Sequence, residues 1–358
     1  MLKRFNLPDF RARLLAVGPL PARILIVTDA WEPQVNGVVR TLQTVKRELR
    51  ALGHTVEIIG PDRFHTIPCP TYPDIRLSLF PRRKLSRLIE AFAPDALHIA
   101  TEGPLGLSAQ KWASKRGCAF TTAFHTRFPE YVHARTRLPP SLFYGFLRRF
   151  HGAGQGMMVA TASLREELAA RGFKSLRTWS RGVDLDQFVP QPREDWGGLA
   201  GPIFIYVGRV AVEKNIRAFL DLDLPGSKVV VGGGPQLDAL RRDFRDVHFA
   251  GPRYGADLAR AYASADVFVF PSLTDTFGLV ILEALACGTP VAAFNVTGPK
   301  DVLADADGHI GAVGDDLRAA VFRALGGDRV ACRTHAERFS WRACAEMFLS
   351  HLVPLGGH

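Results

Sequence analysis

Ile203-Phe204-Ile205-Tyr206-Val207-Gly208-Arg209-Val210-Ala211-Val212-Glu213-Lys214-Asn215 is the stretch on which the fold class turns. Five apolar or aromatic residues in a row stop at a glycine, as a strand buried on both faces does. A helical pattern over Glu213–Leu220 follows, then a second apolar run, Lys228–Val231, which ends at Gly232-Gly233-Gly234-Pro235. Strand, loop, helix and buried strand in succession predict a parallel, doubly wound α/β sheet. Downstream the alternation continues with strand Val267–Phe270, helix Gly278–Cys287 and strand Pro290–Phe294. Upstream it is already present: strand Arg23–Thr28, a loop with Asn36-Gly37, helix Val38–Leu52 halted by Gly53, and strand Thr55–Ile59. Ala96–Ile99, Ala119–Thr122 and Met157–Ala160 extend that first series, and Ser163 with Glu166 reads as the capping pair of a helix Ser163–Arg171. Between the two series lie Pro190, Pro192, Gly197, Gly198, Gly201 and Pro202, read as a linker over 191–202. The expected organisation is an extension over 1–22, a domain over 23–190, a second over 203–338, and a closing segment, 339–358. Two such sheets predict a cleft with ligands beyond the carboxyl ends of the strands.

The chain has 358 residues, 47% hydrophobic and 22% charged, which excludes a disordered scaffold. Its apolar runs fall short of the roughly 18 residues a membrane span needs, so none is expected. Residues 1–23 carry Lys3, Arg4, Arg11, Arg13 and Arg23 without a continuous apolar core, so no secretory leader is expected either. Cys69, Cys118, Cys287, Cys332 and Cys344 are scattered and form no Cys-x-x-Cys pair, which suits a reducing cytoplasm and argues against structural zinc.

The charge is unevenly spread. Residues 1–190 hold 28 Lys and Arg against 15 Asp and Glu, or +13, and residues 191–358 hold 17 against 20, or −3, making the net +10. A basic half attracts phosphate-rich partners. Arg82, Arg83, Lys84 and Arg87 sit among apolar residues at helical spacing in Leu79–Ile89, and Arg148 and Arg149 sit beside Phe143, Tyr144, Phe146 and Phe150. Basic amphipathic segments with aromatics suit an interface of anionic headgroups. They equally suit core helices with a solvated basic face. No nucleic-acid motif accompanies them, and no nucleic-acid partner is expected.

Arg209 and Lys214 leave a strand together at the expected cleft mouth, where they could balance a diphosphate and stabilise it as a leaving group. The alternative is a pair of exposed cations at a helix start. Asp275 and Glu283 flank the other candidate, Pro271-Ser272-Leu273-Thr274-Asp275-Thr276-Phe277-Gly278-Leu279-Val280-Ile281-Leu282-Glu283-Ala284. Amides near Phe277, Gly278 and Leu279 would be helix-start donors for an anion. Glu283 interrupts an apolar run, so its carboxylate needs partners, and two ribose hydroxyls would serve as well as an ion pair. Asp275 also reads as a helix N-cap.

Gly-Arg-x4-Lys followed by Pro-Ser-x-x-Asp-x-Phe-Gly-Leu-x-x-Leu-Glu-Ala resembles the retaining nucleotide-sugar glycosyltransferases of family four, which have the GT-B fold of two Rossmann-like domains facing a cleft. The Thr-Asp-Thr-Phe-Gly variant is similar to the branch with GDP-mannose-dependent α-mannosyltransferases and sulfoquinovosyl and diacylglycerol glycosyltransferases. The resemblance implies that Arg209 and Lys214 contact the donor diphosphate, that Glu283 holds the ribose and that Asp275 meets the sugar. It likewise implies that the loop around Gly37 admits the donor, that His125 in Phe124-His125-Thr126 reaches the sugar, and that Gly233 and Gly234 lie near the nucleotide. Residues 339–352 would form a helix returning to the first domain.

The implied reaction moves a hexose, most simply mannose from GDP-mannose, to a lipid or glycolipid hydroxyl at the inner face of the membrane. UDP-sugars and diacylglycerol are the alternative pair. A nucleotide-sugar epimerase and a silent nucleotide-sugar or membrane-binding protein are the competing readings. No Asp-x-Asp metal motif stands in a suitable loop, so protein cations are expected to replace a metal and no cofactor is expected.

Overall fold

The computed structural model describes residues 22–34, 36–69, 72–304 and 308–356. Apart from Ala22, the N-terminal extension expected over 1–22 lies outside those residues. The chain divides into two compact units, one running to Ser180 and resuming at Trp341, the other Arg181–Ser340.

In the first unit, β1 (Arg23–Val27) leads through α1 (Gly37–Ala51) to β2 (Thr55–Ile59). A hairpin, β3 (Thr66–Cys69) and β4 (Tyr72–Ser78), precedes α2 (Arg82–Phe92) and β5 (Ala96–Ile99). Then come α3 (Pro104–Arg116), β6 (Thr121–Phe124), α4 (Phe128–Thr136), α5 (Pro140–Gly152), β7 (Gly156–Val159), α6 (Ala162–Ala170) and β8 (Leu176–Thr178). The sheet order is β2-β1-β5-β6-β7-β8, with every pair parallel. The β3–β4 hairpin is antiparallel and stands apart from that sheet.

Each element follows from its residues. Asn36 caps α1, its Oδ1 accepting from the Val38 and Val39 amides at 3.0 Å, a cap of roughly 1 kcal/mol. Helix α2 turns Leu85, Ile89 and Phe92 inward and Arg82, Arg83, Lys84 and Arg87 outward. Gly117 ends α3 in the left-handed conformation that glycine adopts without steric cost. Thr161, not Ser163, caps α6: its Oγ1 accepts from the Leu164 amide at 3.2 Å. The capping pair expected at Ser163 and Glu166 is thereby displaced by two residues, because the strand ends early enough for Thr161 to take the extended cap conformation.

The second unit contains β9 (Ile203–Val207), α7 (Arg217–Leu220), β10 (Ser227–Val231), α8 (Leu237–Asp243), β11 (His248–Gly251), α9 (Gly255–Ala263) and β12 (Val267–Phe270). It continues with α10 (Leu279–Ala286), β13 (Val291–Phe294), α11 (Pro299–Val302), β14 (Gly311–Gly314), α12 (Leu317–Ala324) and α13 (Arg329–Ala336). The order β11-β10-β9-β12-β13-β14 is again all parallel, with β9 buried along its whole length. Last comes α14 (Trp341–His351), which packs on the first unit: the Trp179 indole donates to the Cys344 carbonyl at 3.1 Å, and Trp179 and Phe348 rings lie 5.0 Å apart.

Two expectations need correction. The stretch 191–202 is no free linker and the division falls at Ser180. Arg193 donates to the Asp266 carboxylate at 2.7 Å, the Glu194 amide to Ser264 Oγ at 2.8 Å, and Trp196 is buried under the Arg253 guanidinium. Proline keeps this segment out of helix and strand, Gly197 and Gly198 bend it in the left-handed region (φ +73° and +79°), and side-chain staples bind it to the second unit. Nor does one helix cover Glu213–Leu220. A 3-10 turn, Val212–Lys214, ends at Asn215 in the left-handed region (φ +52°), and α7 starts only at Arg217.

Candidate functional site

The carboxyl edge of the second sheet gathers most of the candidate donor residues. Arg209 and Lys214 lie in the loop after β9, Gly233 and Gly234 after β10, and Asp275, Phe277 and Gly278 after β12. The loops are bound to one another. The Val210 amide donates to the Gly233 carbonyl at 2.8 Å and the Gln236 amide to the Val210 carbonyl at 3.0 Å. Asn215 Nδ2 reaches the Pro271 carbonyl at 3.1 Å, and Thr274 Oγ1 the Glu213 carbonyl at 3.3 Å. Close approach is possible only because glycines occur where backbones meet. A Cβ on Gly232 would lie 1.9 Å from the Gly208 carbonyl oxygen, and one on Gly234 would lie 2.4 Å from that of Val210. Gly233 faces open space.

Lys214 and Asp275 meet within this cluster. The ammonium is 2.6 Å from Asp275 Oδ1 and 2.9 Å from Oδ2, with side chains 21% and 18% exposed. Asp275 is therefore not the N-cap of α10. That position is Gly278 (φ +87°), and no side chain caps it. The backbone amides at the start of α10 thus sit beside a half-buried cation–carboxylate pair. Orphan amides and a helix dipole favour an anion there. Phe277 is buried against Phe339, ring centroids 6.5 Å apart, and packing around Gly298 presses the next loop onto the carbonyls of Phe277 and Asp275. Leu279, the first residue of α10, is half-buried.

Glu283, the fifth residue of α10, is 3% exposed and accepts from the Tyr262 hydroxyl at 3.1 Å. Tyr262 is a partner the sequence did not announce, since it arrives from α9, and only the β–α alternation could have hinted at the packing. The Arg209 carbonyl is likewise fixed, by the Tyr206 hydroxyl at 2.8 Å.

Two of the candidate residues for donor contact belong to the first unit. Gly37 is the exposed first residue of α1, its carbonyl accepting from Thr41 Oγ1 at 2.7 Å. His125 follows β6 and is buried edge-on against Trp179, 5.6 Å between centroids. At the same sheet edge is a carboxylate that motif reading passed over. Asp29, just past β1, accepts from the Leu105 amide at 2.8 Å, the Gly106 amide at 3.2 Å and Thr101 Oγ1 at 3.0 Å, and so caps α3. Burial pushes its pKa up to about 6, against the opposing pull of those donors. The sequence signal for Asp29 was only a polar residue at a strand end. In α5 the buried His151 imidazole bridges Thr122 Oγ1 at 2.9 Å and Glu102 at 3.1 Å.

The basic residues singled out in the first unit have separate fates. Arg82, Arg83 and Arg87 are exposed on α2. Lys84 donates to the Arg63 carbonyl and lies over the Phe64 ring, 5.3 Å from its centroid. Arg148 and Arg149 are exposed on α5, Arg148 donating to the Arg171 carbonyl at 3.0 Å. Among the described residues no group of three His, Cys, Asp or Glu side chains is placed to hold a metal ion, and no helix is long and apolar enough to cross a membrane.

Comparison with known proteins gives this arrangement its family. Residues 35–187 match the model described as Glycosyltransferase Family 4, and residues 201–325 that of Glycosyl transferases group 1. The chain is 31% identical over 306 residues to a GDP-mannose-dependent alpha-mannosyltransferase of Mycobacterium tuberculosis, covering 78% of this chain and 81% of that one. It is 28% identical over 311 residues to an alpha-monoglucosyldiacylglycerol synthase of Streptococcus pneumoniae, covering 76% and 70%. Among solved structures, sucrose-phosphate synthase from Thermosynechococcus elongatus shares the fold, with a TM-score of 0.68 at 20% identity over 91% of this chain and 97% of that one. The chain belongs to the family 4 glycosyltransferases of the GT-B fold and is a glycosyltransferase.

Proposed function

We propose that the protein transfers mannose from GDP-mannose, with its α configuration retained, to a hydroxyl of a membrane-associated lipid. The observation that carries this reading is the second-unit cluster: Arg209 and Lys214 on one loop, and the uncapped start of α10 on the next. The mannose and the guanine base are supported by the mycobacterial relative's name, and the lipid acceptor by the streptococcal relative's name together with the basic first half.

The diphosphate sits against Lys214, Arg209 and the amides of α10. A phosphate oxygen shares the Lys214 ammonium with Asp275, and Asp275 accepts from a sugar hydroxyl. Glu283, oriented by Tyr262, accepts from the ribose hydroxyls, and Gly233 and Gly234 admit the nucleotide without a side chain in the way. The bond between the sugar's anomeric carbon and the diphosphate breaks, and its electron pair leaves with GDP. The acceptor oxygen bonds to the same face of that carbon, and its proton passes to the departing phosphate oxygen. Cations held in place where charge develops need no reorganisation, which is why each is worth roughly 3 kcal/mol in such sites. The protein works without a metal, peripherally, at the inner face of the membrane.

A second reading takes a UDP-sugar as donor and diacylglycerol as acceptor, the acceptor being supported by the streptococcal relative's name. One experiment separates them. The purified protein is given GDP-mannose, UDP-glucose, UDP-glucuronate or UDP-sulfoquinovose with lipid vesicles, and products are identified by mass spectrometry and anomeric proton NMR. An α-mannosyl lipid from GDP-mannose alone is expected. A β-linked product, or free mannose formed at the same rate without lipid, would contradict the proposal.

A further inference from the structure

A carboxylate placed on the lysine of a diphosphate site works against that site's hold on an anion. Asp275 is so placed: its two oxygens lie 2.6 and 2.9 Å from the Lys214 ammonium. A phosphate oxygen accepting from the same ammonium approaches at a tetrahedral angle to them, roughly 5 Å from the carboxylate. With the two side chains 21% and 18% exposed, water screens that approach only in part.

The loops hold this pair in place. Asn215, next to Lys214, donates through Nδ2 to the Pro271 carbonyl at 3.1 Å, and Thr274, next to Asp275, donates through Oγ1 to the Glu213 carbonyl at 3.3 Å. The following loop is as close, since a Cβ on Gly298 would lie 3.3 Å from the Asp275 carbonyl oxygen. Nor is the carboxylate engaged in capping, because Gly278 begins α10 with no side-chain cap. Arg209 and Lys214 bring two positive charges to this edge, and Asp275 cancels one of them. The nucleotide before and after transfer differs by the same amount. In a nucleotide sugar the terminal phosphate is a diester with a single negative charge. With the sugar gone it ionises again at a pKa of about 6, so the free nucleoside diphosphate carries close to one charge more at neutral pH.

We infer that Asp275 makes the site discriminate by charge between donor and product. While the donor is whole, the carboxylate accepts from a sugar hydroxyl and faces a diester. After transfer that hydroxyl is gone, and the proton taken up by the departing phosphate is lost to water. The carboxylate then faces a dianionic terminal phosphate, repels it and speeds its release. The inference rests on the proposed donor reading and deepens it by naming what keeps the product from occupying the site.

The test is calorimetry of the full chain with GDP-mannose, with GDP, and with GDP methylated on its terminal phosphate, which has the donor's charge and no sugar. Asp275→Asn keeps the shape of the side chain and removes its charge. It should raise the affinity for GDP relative to the methyl ester by about tenfold, the effect of one like charge removed at this range from a partly screened site. Turnover by that variant should also become more sensitive to added GDP. Asp275→Glu keeps the charge and should leave the ratio near that of the parent. Asp275→Ser gives an independent loss of charge should Asp275→Asn melt early. A ratio unchanged in both uncharged variants would overturn the inference. So would a ratio that moves as far in Asp275→Glu as in Asp275→Asn, because shape and not charge would then decide it. Failure of all three probes to bind the parent would sink the proposed function and this inference with it. Binding of all three with a ratio indifferent to the charge of residue 275 would sink this inference alone.

Discussion

The two units use the same scaffold in opposite ways. Both have six parallel strands, one ordered β2-β1-β5-β6-β7-β8 and the other β11-β10-β9-β12-β13-β14. In the second unit the third strand extends the sheet beside β10, whereas in the first the chain at that point forms the separate β3–β4 hairpin and then the basic helix α2. The carboxyl-edge loops differ more. Those of the second unit are short, laced by backbone contacts and glycine-dependent, with polar groups gathered around Lys214 and Asp275. Those of the first begin helices that leave apolar and cationic side chains in solvent. A shared sheet thus settles where a site is found and not what it does. The chemistry belongs to the loops.

The largest effect that would sharpen this contrast is expected from two adjacent glycines. Gly232→Ala puts a methyl into the Gly208 carbonyl at a backbone angle, φ +146°, open almost only to glycine, and should destabilise the second unit by more than about 3 kcal/mol. Gly233→Ala meets nothing within 4 Å and should melt within about 0.5 kcal/mol of the parent. Equal melting of both in denaturant titrations would break the picture of a laced loop.

Next comes Lys214→Ala. Loss of a cation placed against a developing charge should lower kcat/KM for donor turnover by about 10²–10³-fold, as for removal of an oxyanion donor, with folding intact. A fall below about fivefold would move the chemistry away from this loop.

The first unit has its own test in Asp29. Its folded pKa is raised to about 6 from 3.8, so the associated stability is present in full below pH 3.8 and is lost as pH rises through about 6. Relative to Asp29→Asn, the parent should therefore lose about 2 kcal/mol between pH 4 and pH 7. Parallel pH–stability curves for the two proteins would show that burial of Asp29 is not what sets its titration. The smallest loss belongs to Thr161→Ala, apart from the near-neutral Gly233→Ala: about 1 kcal/mol from the lost α6 cap, measured by urea unfolding. An unchanged midpoint would return the cap to Ser163.

These residues also mark what was legible in the sequence. Strands buried on both faces announce themselves as unbroken apolar runs, and β9 was read with its observed limits, Ile203–Val207. The placement of Arg209, Lys214 and Asp275 after strand ends was legible too, because each follows an apolar run read as a strand. Their partnerships were not. The Lys214–Asp275 contact and the Tyr262–Glu283 hydrogen bond join residues 61 and 21 positions apart, which only the packing of neighbouring loops and helices brings together. The boundary was missed for a related reason: proline and glycine show that 191–202 is irregular, but the bonds from Arg193 and Glu194 to Asp266 and Ser264 decide which unit owns it. Phe80 was equally silent, since an aromatic before a helix is usually buried, and only the folded chain turns this one outward.

In the proposed reaction, protein cations and helix amides of the second unit stabilise a departing nucleoside diphosphate. Turnover of GDP-mannose with lipid vesicles, followed in excess EDTA and again with added Mg²⁺ or Mn²⁺, tests this most directly. An undiminished rate in chelator is expected. Turnover abolished by EDTA and restored by the divalent ion would contradict it.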